Sequence, residues 1–467
     1  MHKLYYQPEG HWFGDCMPFG HDGKFYLYHQ RDTRDPAPLE NGQPFGWSLA
    51  VTSDFVHYED YGESLKKGDY DAQDQYIYAG SVFEAEGLYH AFYTVFNREY
   101  ASRGKASQVL MHAVSKDLVH WEKTRDKLTF TPQPGYDKND WRDPFVLWDK
   151  EKEEYLLILG ARKLDGEKIL NGCTVKFTSK DLEHWTFGGD FWNPGIYSMH
   201  EMPDLFRIGD WWYLVISEYS DKNKIVYRMS RSLDGPWTAP IDDAFDGRAY
   251  YAGRTFELNG QRILFGWVPT RENNDDLGNF QWGGTFVAHE VYQREDGTLG
   301  VRIPQTVWDA FLERKETAVS KICLKTVDSR QEIRLDPECG SLYSFETDLK
   351  FTEGTRSFAV KVYENEASGE GYEFRFTLGE NRLEFDKTPN MPWFRCMNKG
   401  LDRPVFLKAG RTYRLKLIVD DTIATIYIDG VALNTRMYTK PGDSLGIYVT
   451  DGCLELENAS ISKSLKK

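Results

Sequence analysis

The 467-residue chain is short of cysteine, of positive charge and of long apolar runs, and each shortage removes a class of protein. Its six cysteines, Cys16, Cys173, Cys323, Cys339, Cys396 and Cys453, are spread over the whole length with no Cys-x-x-Cys pair and no neighbouring histidine cluster. This spacing argues against a zinc site or a disulfide framework and makes reduced thiols the default. Acidic residues outnumber basic ones, 72 to 57, and the net charge of −15 repels phosphate backbones and anionic lipid surfaces. Neither nucleic acid nor a membrane is expected as a partner. No run of about 18 apolar residues occurs, and Met1 to Pro8 holds no apolar stretch of signal-peptide length, so a cytoplasmic protein is expected. With 40 glycines and 19 prolines near average usage, collagen-like and low-complexity readings fail as well.

What the chain has in excess is aromatic residues, 15% of the total, which favour pleated strands and flat faces able to stack on a ring. At roughly 150 residues per domain, the length predicts two or three domains. A repeat decides the count. Thr52-Ser53-Asp54-Phe55-Val56-His57-Tyr58, Ser115-Lys116-Asp117-Leu118-Val119-His120-Trp121 and Ser179-Lys180-Asp181-Leu182-Glu183-His184-Trp185 share one phrase, and Ser232-Leu233-Asp234-Gly235-Pro236-Trp237 is a shortened form. The aspartates are spaced 63, 64 and 53 residues apart. Each phrase reads as a strand connection, because Ser and Asp side chains bind nearby backbone N–H groups in turns and the aromatic then opens the next strand.

Between the phrases lie short apolar and aromatic runs such as Leu88-Tyr89-His90-Ala91-Phe92-Tyr93 and Trp211-Trp212-Tyr213-Leu214-Val215-Ile216. They are too short for core helices. A unit of this period holds four strands and their turns, which is one propeller blade. The expected fold is therefore all-β: a five-bladed β-propeller over residues 1–308, a linker over 309–321, and a C-terminal β-sandwich over 322–467, where period-two alternation replaces the repeat.

Residues at one phase of a propeller repeat converge on the central channel. The candidate inner-strand positions are Asp15, Gly80, Asp143, Glu201 and Ala252, and three of the five are carboxylates. Crowded carboxylates cannot all ionise freely, so at least one should titrate high, as a general acid must. Two carboxyl groups flanking a glycosidic bond are the minimum apparatus for its hydrolysis.

At these residues the chain resembles glycoside hydrolase family 32, the invertase, inulinase and levanase family of β-fructosidases. Trp12-Phe13-Gly14-Asp15 resembles the family's Trp-Met-Asn-Asp-Pro-Asn segment, Arg142-Asp143-Pro144 matches its Arg-Asp-Pro motif, and Glu201-Met202-Pro203-Asp204 resembles Glu-Cys-Pro-Asp. Gln30, Trp47, Gly80-Ser81, Tyr251-Ala252 and Gly266-Trp267-Val268 extend the likeness, and Val419 to Tyr438 carries it into the second domain. The resemblance implies Asp15 as nucleophile, Glu201 as general acid/base and Asp143 as transition-state stabiliser. It implies substrate contacts from Trp12, Gln30, Trp47, Ser81 and Trp267, with Arg142 and Asp204 setting the ionisation of Asp143 and Glu201. No metal or cofactor is required. The expected activity is that of a retaining, exo-acting β-fructofuranosidase on sucrose, sucrose phosphate or fructo-oligosaccharides.

The departures fall at the floor of the expected subsite. Gly14 replaces the family's Asn, Cys16-Met17 replaces its Pro-Asn, and Met202 stands where Cys is usual. Arg31-Asp32-Thr33-Arg34-Asp35 after Gln30 reads either as a recogniser of an anionic fructoside or, preferably, as a network of charges paired with each other. A transfructosylase, an inverting propeller glycosidase of the arabinan or xylan type, and an inactive carbohydrate-binding homologue remain as alternatives. A homo-oligomer is left open.

Overall fold

The computed structural model describes residues 2–32, 43–124, 128–218, 220, 222–312, 315–316, 321–390 and 399–466. The fold is a five-bladed β-propeller followed by a β-sandwich. The first blade is the meander Trp12–His21, Lys24–Asp32, Trp47–Thr52 and Glu59–Leu65, each strand antiparallel to the next. Tyr76–Ala85, Asp149-terminated Tyr136–Asp149 and His200–Ile208 open the next three blades, and Tyr251–Leu258 opens the fifth. A bridge between Phe13 and Gly284 joins the last blade to the first and closes the ring.

The repeated phrase is the turn between the third and fourth strands of a blade. In the first three blades the aspartate accepts backbone N–H bonds from the residues two and three further on, and its second oxygen pairs with the histidine: His57 on Asp54 at 2.7 Å, His120 on Asp117 at 2.8 Å and His184 on Asp181 at 2.8 Å. The apolar residue after each aspartate, Phe55, Leu118 or Leu182, takes a positive φ. The fourth blade breaks the period for a simple reason. It has three strands, His200–Ile208, Trp211–Glu218 and Lys224–Ser230, and its outer edge is reduced to single bridges at Thr238 and Ala244.

A feature at the channel positions the chemistry. All five innermost strands carry a register shift at one phase: between Phe13 and Cys16, Ile77 and Gly80, Arg142 and Phe145, Glu201 and Asp204, and Tyr251 and Arg254. A bulge bends its strand and re-aims a side chain. Asp15, Asp143 and Glu201 sit at these bulges, and Asp143, Met202 and Ala252 adopt positive φ there. Non-glycine residues in that region cost on the order of 1–3 kcal/mol each, a strain typical of functional positions.

In the sandwich, two long bent strands, Lys321–Asp336 and Ser444–Ser462, pair along most of their length and run through both layers. The first half of Ser444–Ser462 pairs with Ser357–Glu364 and the second half with Leu342–Phe351. Between the layers lies a separate core rich in Phe, Leu and Val, including Phe345, Phe358, Phe374 and Leu417. Buried polar groups join sandwich to propeller: Asp420 accepts the backbone N–H groups of Lys3, Leu4 and Tyr5, and Arg436 donates to the carbonyls of Val268 and Pro269. No helix among the described residues is long and apolar enough to cross a membrane. Arg34 and much of the expected linker lie outside the described residues.

Candidate active site

Asp15 lies on the first innermost strand, partly reachable by water and otherwise enclosed by protein. The indole Nε1–H of Trp267, from the fifth blade, donates to its Oδ1 at 3.0 Å, and Trp282 donates to the same carboxyl group. Burial, then the charges of Asp143 and Glu201, push Asp15 up to about 8, while the two indoles pull the other way.

Asp143 is nearly fully buried. Its Oδ2 accepts the Met202 N–H at 3.0 Å, its own N–H donates to Thr94 Oγ1 at 2.7 Å, and the guanidinium of Arg254 clamps the carbonyls of Asp143 and Pro144 at 2.9 and 3.0 Å. Strands from four blades thus hold one strained peptide. Burial pushes the Asp143 carboxyl up to about 6, opposed by Arg142.

Glu201 is more accessible than Asp143, with a side chain 24% exposed against 6%. Its two oxygens are separately held: Oε1 accepts from Arg142 at 2.8 Å and Oε2 from the Tyr251 hydroxyl at 2.7 Å. Arg142 also grips Asp140 at 2.7 Å and lies 4.0 Å from Asp143, so one guanidinium serves three carboxylates. The crowding argument expected at least one high carboxyl in the cluster, and Asp15 and Asp143 are both raised.

The other expected contacts divide. Trp267 and Arg142 touch the carboxylates directly, and Trp12 is half-buried at the head of the Asp15 strand. Gln30 is buried beside Gly14, its Nε2 on the Ile77 carbonyl at 3.5 Å and its Oε1 without a partner among the described residues. Three others are held by protein partners. Trp47 is fully buried and donates to the Tyr78 carbonyl at 2.8 Å, so it supports the site from the core. Ser81 accepts the Val146 N–H and braces the second blade to the third. Asp204 bonds neither Asp143 nor Glu201: its Oδ2 accepts the Thr255 N–H at 2.7 Å and hydroxyl at 2.6 Å. Ser81 and Asp204 line a different cavity, of about 340 Å³, further along the same innermost strands.

Two residues were missed. Tyr251 lay inside a matched segment without a role, and Trp282 belongs to no motif. The signal for Trp282 was Gly14 itself. A Cβ at position 14 would lie 2.7 Å from the Trp282 Cζ2, inside contact distance, so the indole fills the space that a side chain there would take. Trp282 packs edge-on to Trp267 with centroids 6.1 Å apart and lies parallel to Phe45. Arg31, read as either an anion recogniser or part of a network within its own charged run, pairs outside that run, with Asp60 at 2.5 Å, and residues 33–35 lie outside the described residues. Among the described residues, the one group of ligating side chains close enough for a metal ion lies in the sandwich, at Cys323, Cys453 and Glu455.

A propeller channel that brings two aspartates and a doubly bonded glutamate together at its bulges is the architecture of a glycoside hydrolase. The glycosyl hydrolases family 32 N-terminal domain matches residues 5–296, and the chain belongs to that family. It is 23% identical to the sucrose-6-phosphate hydrolase of Escherichia coli, over 96% of this chain and 90% of that protein. It is 24% identical to the levanase of Bacillus subtilis, over 98% of this chain and 69% of that protein. Among solved structures it is similar to sucrose-6-phosphate hydrolase from Lactobacillus gasseri, with a TM-score of 0.76 at 17% identity, covering 100% of this chain and 93% of that one. The exo-inulinase of Aspergillus awamori gives a TM-score of 0.77 at 16% identity, covering 100% and 98%.

Proposed function

We propose that the protein is a retaining, exo-acting β-fructofuranosidase that releases terminal fructose from short fructosides such as sucrose, sucrose phosphate or fructo-oligosaccharides. The observation that carries the reading is the division of labour around Asp15. Its carboxyl group is held by two indole N–H donors, while Glu201 is held on its two oxygens by Arg142 and Tyr251. In the first step Glu201 gives its proton to the glycosidic oxygen as the bond to the anomeric carbon breaks, and the Asp15 carboxylate bonds to that carbon. In the second, Glu201 takes a proton from water, whose oxygen displaces Asp15 and frees fructose. Asp143 lies against the developing positive charge, and Arg142 and Tyr251 orient Glu201 for both steps.

The relatives named for sucrose-6-phosphate, levan and inulin support a fructosyl donor. The five described cysteines are free, which fits a cytoplasmic enzyme working on soluble substrates. The test is a panel of sucrose, sucrose phosphate, levan, inulin and short fructo-oligosaccharides, with free fructose as readout and its first-formed anomer followed by NMR. Release of the β-anomer, abolished in Asp15→Asn and Glu201→Gln, is expected. Release of the α-anomer contradicts retention, oligosaccharide products at high substrate indicate transfer, and no release from any donor overturns the assignment.

A further inference from the structure

We propose that Cys323, Cys453 and Glu455 form a binding site for a thiophilic divalent ion of the zinc class on the outer face of the sandwich. Nothing in their sequence positions hints at it, because 130 residues separate the two cysteines. The fold brings them together. Cys323 and Glu455 are direct partners across the pair of long bent strands, and Cys453 lies two positions before Glu455 on the same strand. Alternation then places all three side chains on one face, while Ile322, Leu324, Leu454 and Leu456 point into the core on the other.

The geometry fits a shared ion. The two sulfurs are 3.6 Å apart. Two thiolates at about 2.3 Å from one tetrahedral ion stand about 3.8 Å apart. The ligating atoms of all three residues lie within 4.8 Å of one another, and a rotation of the exposed Cys323 or the half-buried Glu455 side chain closes the remainder. A disulfide fits less well. Lys325, not Cys323, is the partner directly opposite Cys453, so the thiols meet on a diagonal. Diagonal neighbours have Cα atoms about 7–8 Å apart, beyond the usual disulfide range.

Cys453 is also fixed in advance. Its N–H donates to Thr355 Oγ1 at 3.2 Å and its carbonyl accepts the Thr352 N–H at 3.1 Å, so the ligand on the buried side of the site is preorganised. Lys325 opposite Cys453, Lys350 opposite Glu455 and Lys321, two positions before Cys323, are cations beside the site. They oppose a bare dication but not the complex with two thiolates and a carboxylate, whose net charge is −1. Sulfur ligands select zinc-like ions over magnesium or calcium. The bound ion would tie the first long strand of the sandwich to the last, leaving one coordination position for water.

The test uses the full-length protein, stripped with chelator, reduced and titrated anaerobically with cobalt(II) and then zinc. One ion per chain is expected, with two protons released for each ion bound and a thiolate-to-cobalt charge-transfer band that zinc removes. Cys323→Ser and Cys453→Ser should each abolish the band, Glu455→Gln should weaken affinity about tenfold or more, and Cys173→Ser, in the propeller, should change nothing. Cys323 is exposed, so its variant separates lost binding from lost folding. Binding in wild type no tighter than in Cys323→Ser overturns the proposal. So does a wild-type mass lower by two hydrogens with both thiols blocked, because a disulfide then occupies the pair.

Discussion

Gly14 and Trp282 occupy one volume: the indole stands where a side chain on residue 14 would stand, and the same indole donates to the neighbouring Asp15. The two positions are therefore coupled. Gly14→Ala should displace Trp282 and lower kcat/KM on the best fructoside by about tenfold to a hundredfold, the scale on which small misplacements of catalytic groups act. Trp282→Ala should also cost activity, through the lost donor. In the Trp282→Ala background, adding Gly14→Ala should cost little more, since the clash is gone. Losses that simply add would show that the positions act independently.

Trp267 acts on Asp15 by charge as well as by position. Its N–H stabilises the carboxylate over the acid, so Trp267→Phe removes a force that lowers the Asp15 titration and the pKa moves up from about 8. In the proposed mechanism Asp15 attacks as the carboxylate, so the acid limb of kcat/KM should move to higher pH. A hydrogen bond to a charged group is worth about 1.5–3 kcal/mol, or about one to two pH units. An unmoved limb with a lower plateau would mean that Trp267 only shapes the pocket.

The propeller was legible because its repeat is local: the hydroxyl-x-Asp phrase builds a turn from its own side chains, so each copy announces a strand connection without tertiary help. The phase of Asp15, Asp143 and Glu201 followed, since a fixed period fixes the face of every inner strand. Direction along the strand was not legible. The bulges send Asp143 and Glu201 one way and leave Asp204 bonding Thr255 further along the channel, and no motif encodes a bulge. Trp47 and Trp267 look alike in sequence, yet one is buried on the Tyr78 carbonyl and the other reaches Asp15, a difference set by neighbouring blades. The Cys323–Cys453 pair was hidden for the same reason, because strand pairing across 130 residues is invisible to a spacing rule.

Arg142 makes a fork that lysine cannot copy. It holds Glu201 Oε1 through one nitrogen and Asp140 through another while its charge opposes the rise of Asp143. Arg142→Lys keeps a positive charge but loses the planar pair of donors. We expect kcat to fall about a hundredfold in Arg142→Lys and further in Arg142→Gln. In the glutamine variant Asp143 should titrate above about 6, since the cation that opposes its rise is gone. Carboxyl titration by NMR reads this directly, and an unshifted Asp143 would contradict it.

Asp246 fastens the sandwich to the propeller from a fully buried position. Its Oδ1 accepts the Asn434 N–H at 2.8 Å, and its Oδ2 accepts Asn434 Nδ2–H at 2.7 Å and pairs with His289 Nε2 at 3.0 Å. These donors, His289 first, hold its carboxyl below the ordinary value against the cost of burial. A carboxylate lowered by folding stabilises the native state above its unfolded pKa of about 3.9, and that contribution disappears as pH falls from there through the lower folded value. Asp246→Ala takes the acceptor away from four groups, the Gly247 and Asn434 N–H, Asn434 Nδ2 and His289 Nε2, and should cost about 3–5 kcal/mol near neutral pH, the range for removing one partner of a buried charged contact. Denaturant melts from pH 7 to pH 2 should show the wild-type advantage over Asp246→Ala constant down to about pH 4 and shrinking below it. An advantage that persists unchanged to pH 2 would mean that the stabilisation comes from packing at position 246, not from the carboxylate.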